Sequence, residues 1–76
     1  MRNQVLDILS VAVPSVDFES SVTLVDDGIL DSFTLVNIIA ELSIEFNISV
    51  PFEEISNENF NSVDAITALV KRLKSE

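Results

Sequence analysis

Apolar residues return at helical spacing in three stretches of this chain. Between Asn3 and Val13, Val5, Leu6, Leu9, Ala12 and Val13 recur every three or four positions around Asp7 and Ser10. That spacing predicts an amphipathic helix ended near Pro14, and Ile8 and Val11 widen its stripe enough to predict burial on more than one side. The strongest helical stretch runs from Ser32 to about Phe46. Phe33, Val36, Ile39, Ala40 and Leu42 share one side of it and Phe46 closes it. Leu35, Ile38 and Ile44 depart from that stripe, which predicts that some of them are exposed beside Ser32. A last helix is predicted from a cap at Asn61 or Ser62 to about Lys74. Its apolar positions are Val63, Ile66, Leu69, Val70 and Leu73, and Lys71, Arg72 and Lys74 lie where cations suit the helix dipole.

The connections are less regular. From Pro14 to Asp31 the helical period breaks over a length beyond an ordinary connection, so the segment needs anchors of its own. Phe18, Leu24, Val25, Ile29 and Leu30 are the available ones and predict a loop pinned across the core. After the turn Asn47–Pro51, Phe52 to Ile55 reads as one or two helical turns, and Phe60 as an anchor. The expected fold is all-α: a small four-helix bundle with three main helices, one short helix and a long loop between helices 1 and 2, in a single domain over residues 1–76.

The stretch Asp27-Gly28-Ile29-Leu30-Asp31-Ser32-Phe33 carries the candidate chemistry. Asp31 is expected to cap the following helix, because its carboxylate can accept from first-turn amides where a negative charge also suits the dipole. Ser32 is then left facing water at the helix mouth. A calcium loop centred on Gly28 is rejected, since it puts Thr23, Val25 and Thr34 where oxygen-rich ligands and the closing Glu belong.

Composition narrows what Ser32 can do. The chain has no Cys and no His, so disulfides, cysteine sites and the usual Ser-His-Asp or Cys-His nucleophiles are excluded, and the commonest metal ligand is missing. Seventy-six residues bury only about 60% of their unfolded surface, which leaves little room for a deep cleft. No enzyme activity and no metal are expected. A hydrolase built on Asp26 and Asp27 is rejected because adjacent acids in a turn face water and nothing supplies the apolar pocket that general acid–base catalysis needs. Ser32 is more useful as the substrate of another enzyme.

The net charge is −9, and the only basic side chains are Arg2, Lys71, Arg72 and Lys74. That distribution repels nucleic acid and anionic membranes and favours proteins with basic patches. No run reaches the roughly 18 apolar residues of a membrane span, and Asp7 interrupts what would be a signal-peptide core. A cytoplasmic monomer without membrane insertion is expected.

Gly28-Ile29-Leu30-Asp31-Ser32-Phe33 resembles the Asp-Ser-Leu attachment motif of the acyl carrier protein and phosphopantetheine-attachment superfamily. The similarity spans nearly the whole chain, through the first helix, the long loop, Glu45-Phe46 and the entry to the last helix at Phe60-Asn61-Ser62-Val63-Asp64-Ala65-Ile66. It implies that Ser32 accepts 4′-phosphopantetheine from coenzyme A, supplied by a phosphopantetheinyl transferase, and that Asp31 serves transferase recognition as well as capping. The arm's thiol would carry an acyl or aminoacyl thioester, loaded by an adenylating ligase or a synthase and passed to a downstream acceptor enzyme. The missing Cys is no obstacle, because the sulfur is imported.

Where fatty-acid carriers have acids after the motif, this chain has Thr34, Asn37 and Ser43, and Phe33 replaces the usual Leu. Asp31-Ser32-Phe33 through Glu41-Leu42, with Pro51, Glu54, Phe60 and Ser62, is more similar to D-alanyl carrier proteins, which implies an aminoacyl cargo. Partner contacts are expected at Phe33, Val36, Asn37, Ala40, Glu41 and Ile55. The alternative is an unmodified adaptor that keeps the carrier fold and binds a basic protein through its acidic second helix.

Overall fold

The computed structural model describes residues 1–75. It has the order α1 (Arg2–Ala12), α2 (Ser32–Phe46), a 3₁₀ turn (Phe52–Glu54), α3 (Asn57–Phe60) and α4 (Val63–Lys74). No strand occurs among the described residues. The small all-helical bundle expected from the sequence is present. Its short α-helix, however, is not the expected Phe52–Ile55 segment, which forms only the 3₁₀ turn. The helix lies five residues further on, where Ser56 Oγ accepts from Asn59 N–H at 3.4 Å.

Helix ends follow local chemistry. Pro14 follows the end of α1, and Val13 N–H closes that end on the Leu9 carbonyl. α2 ends at Asn47, whose φ of 54° is left-handed, a conformation Asn tolerates better than most residues. Lys74 Nζ donates to the Phe46 carbonyl at 3.1 Å, so the tail of α4 also satisfies the end of α2. α4 is capped by Ser62, whose Oγ accepts from Ala65 N–H at 3.0 Å; Asn61, the other candidate, is used elsewhere.

The core is built from all four α-helices: Val5 and Leu9 of α1, Ile38, Leu42 and Phe46 of α2, Phe60 of α3, and Val63, Ile66, Leu69 and Val70 of α4. Each such side chain contributes about 1.5–3 kcal/mol by leaving water. The long loop adds Phe18, Leu24 and Leu30, with Val25 and Ile29 half-buried against them, so the five expected anchors all hold it to the bundle.

Two stripes are corrected. In α1, Val11 is 83% exposed and Ala12 is exposed too, because α2 and α4 cover only the Val5–Leu9 side. In α2, Ile38 is fully buried while Phe33 is 78% and Val36 65% exposed, and Ala40 is exposed as well. α2 is apolar most of the way round, so its period alone does not choose the inward side. The choice falls on Ile38, Leu42 and Phe46, four residues apart, because that ridge meets α1 and α4.

Candidate functional site

The mouth of α2 is shaped by the loop before it. Asp27 N–H donates to the Thr23 carbonyl at 2.8 Å, Gly28 N–H to the Val25 carbonyl at 3.0 Å, and Leu30 N–H to the Leu24 carbonyl at 3.0 Å. Gly28 has φ +77°, the left-handed region, and nothing lies within 4 Å of where a Cβ would stand. Glycine is thus required there by backbone conformation rather than by crowding. Leu24 and Leu30 are buried on either side of this turn, which fixes the point where the chain emerges as Asp31-Ser32.

Asp31 has extended backbone (φ −74°, ψ 175°), and its Oδ1 accepts from Thr34 N–H at 2.8 Å. This hydrogen bond, aided by the Thr34 hydroxyl and Phe33 N–H, holds the Asp31 carboxyl below its ordinary value of 3.8. Asp31 is therefore the cap the sequence predicted, and an ionised one. Ser32 is the first helical residue and is exposed, so its hydroxyl stands at a helix start beside a carboxylate.

Beside the mouth, α1 and α2 enclose an open groove of about 500 Å³. α2 lines it with Phe33, Thr34, Asn37, Ile38 and Glu41, and α1 with Asp7, Ile8, Val11 and Ala12. Of the six residues expected to meet partners, Phe33, Asn37 and Glu41 come together here; Val36 and Ala40 are exposed elsewhere on α2, and Ile55 lies after the 3₁₀ turn. All six are exposed. The α1 wall was not anticipated, because Val11 was read as core. Asp7 and Val11, four residues apart on one helix face, carried the signal. Arg2 pairs with Glu19 and Asp64, each at 2.7 Å, and Arg72 with Glu54 at 2.6 Å, so these two cations lie away from the groove's acids. No group of three or more His, Cys, Asp or Glu placed to hold a metal occurs among the described residues.

Over residues 1–70 the chain matches the family model described as phosphopantetheine attachment site. The chain belongs to the phosphopantetheine-attachment family. It is a carrier domain, and its cofactor is 4′-phosphopantetheine. The D-alanyl carrier protein of Lactococcus lactis subsp. lactis is 33% identical over an alignment covering 100% of this chain and 99% of that protein. That of Lactobacillus delbrueckii subsp. bulgaricus is 32% identical, covering 100% and 96%. The D-alanyl carrier protein of Streptococcus uberis is 42% identical over 68% of this chain and 66% of its own. No helix of the carrier domain, among the described residues, is long and apolar enough to cross a membrane.

The site suits the cofactor. A phosphodiester on an exposed serine at a helix start needs open space and the company of helix amides, and Ser32 has both; the first-turn N–H groups of Ser32 and Phe33 precede the first intrahelical bond, Leu35 N–H to the Asp31 carbonyl.

Proposed function

We propose that this domain, residues 1–76, carries an aminoacyl group, D-alanyl by similarity to its relatives, on a 4′-phosphopantetheine arm attached to Ser32. The observation that carries the reading is the exposed Ser32 hydroxyl at the capped mouth of α2, in a chain that matches the family from Met1 to Val70. When bound, the arm supplies a thiol that holds the cargo as a thioester. The chain's own residues do the presenting. Leu24 and Leu30 anchor the loop, Gly28 turns it, Asp31 fixes the first turn, and Ser32 offers its oxygen to a phosphopantetheinyl transferase.

Asp31 is also read as the residue the transferase recognises, since its carboxylate is ionised and exposed next to the acceptor oxygen. Phe33, Val36, Asn37, Ala40, Glu41 and Ile55 form the surface read by the adenylating ligase and the downstream acceptor. Large exposed apolar side chains beside acids, with no cation among them, fit a partner that offers apolar and basic groups. An unmodified adaptor could use the same surface, but it gives Ser32 and its cap no task. No catalysis by the chain itself is invoked, and a monomer working in the cytoplasm fits the acidic surface.

Incubation with coenzyme A and a broad-specificity phosphopantetheinyl transferase, followed by intact mass measurement, tests the reading. Wild type should gain one phosphopantetheinyl group and Ser32→Ala none. Equal masses before and after treatment of the wild type would remove the carrier reading and favour the adaptor.

A further inference from the structure

Asp26 is not used by the turn that shapes the α2 mouth, yet it is a hub of hydrogen bonds. Its Oδ1 accepts from Asn57 Nδ2 at 2.7 Å, and its Oδ2 from Asn61 Nδ2 at 3.1 Å. Asn57 is the first residue of α3 and Asn61 the residue that follows it, so one carboxylate holds both ends of that helix. Asn61 answers in the other direction. Its Oδ1 accepts from Val25 N–H at 2.9 Å and Asp26 N–H at 3.1 Å, and its backbone carbonyl from Leu24 N–H at 2.9 Å. Leu24 in turn accepts from Leu30 N–H at 3.0 Å, one residue before the Asp31 cap.

An unbroken chain of hydrogen bonds therefore runs from α3 through Asp26, Asn61 and Leu24 to the residue next to Asp31-Ser32. α3 has four residues, far below the length at which a helix holds itself. It is held by Phe60 in the core, by Asn59 Nδ2 donating to the Glu54 carbonyl at 2.7 Å, and, on the side of the serine loop, by this carboxylate. We propose that Asp26 is a positioning residue that locks α3 to the serine loop, so that the transferase meets Ser32 and α3 as one rigid surface. The inference rests on the reading of Ser32 as the attachment site.

Asp27 supplies the control: it carries the same charge one residue away, but among the described residues its side chain bonds within the loop, accepting from the Thr23 hydroxyl at 2.6 Å. Removing the Asp26 clamp leaves the reacting serine and the transferase chemistry intact. Asp26→Ala is expected to raise the KM for the carrier as substrate about fivefold while kcat stays within about twofold. Asn61→Asp keeps the oxygen that serves Val25 and Asp26 N–H but loses the donor to Asp26, and should raise KM in the same direction. Asp27→Ala should leave it unchanged.

Amide hydrogen exchange on the same proteins separates positioning from general loss of stability. In Asp26→Ala, residues 24–30 and α3 should exchange faster together, with the core amides of α1 and α4 unaltered. An unchanged KM, an equal rise in KM for Asp27→Ala, or faster exchange in α3 alone would overturn the proposal. If the wild type itself accepts no phosphopantetheine, the carrier reading fails and exchange alone decides the lock: joint loosening of loop and α3 upholds it, independent loosening refutes it.

Discussion

The two sides of α2 are made of the same kind of residue and do opposite things. Ile38, Leu42 and Phe46 are buried against α1 and α4, whereas Phe33, Val36 and Ile44 are large, apolar and exposed. Hydrophobicity is equal to the eye on both sides; neighbours make the difference. The inner ridge holds the bundle together, and the outer side, beginning one residue after Ser32, is left uncovered by the fold. An apolar surface that the fold does not cover is stabilising only when a partner covers it, so the exposure of Phe33 and Val36 contributes nothing to the stability of the bundle itself.

Truncation should separate the two sides sharply. Leu42→Ala removes a fully buried side chain between helices, and chemical denaturation should show a loss of about 2–5 kcal/mol. Phe33→Ser, by contrast, should change stability by less than about 0.5 kcal/mol, while, on the proposed aminoacyl-carrier reading, slowing aminoacylation of the pantetheinylated protein by an adenylating ligase more than tenfold. A Phe33→Ser protein that is strongly destabilised, or that loads normally, would erase the distinction.

A smaller effect belongs to the mouth between the two sides. The Asp31 carboxyl is held below 3.8 in the folded protein by Thr34 N–H, so its contribution to stability is complete above that ordinary value. It is lost as pH falls through the lowered folded value. Asp31→Ala should therefore lower the melting temperature at neutral pH slightly, and flatten the decline in stability of the wild type below about pH 4. Parallel pH profiles for the two proteins would show that the cap is not ionic. Such a result would leave the inner ridge untouched.

Much of this was legible in the residues themselves. The helix from Ser32 to Phe46, the Asp31 cap, the five loop anchors and the exposure of Ser32 all follow from short-range rules: spacing of apolar positions, capping chemistry, and a loop too long to stand without burying its own side chains. These depend on the chain within a few residues of each site, where sequence and structure are in direct contact.

Three features needed the tertiary structure. Which side of an all-round apolar helix faces inward is decided by where α1 and α4 lie, so Ile38 went in and Phe33 and Val36 went out. The groove at α2 has a second wall, Asp7 to Ala12, that no local pattern links to Ser32. Asp26 reads along the chain as one more solvated acid, and its two asparagine partners lie 31 and 35 residues away. Periodicity specifies that a side chain is apolar and how often it recurs; only packing across the bundle specifies what it touches.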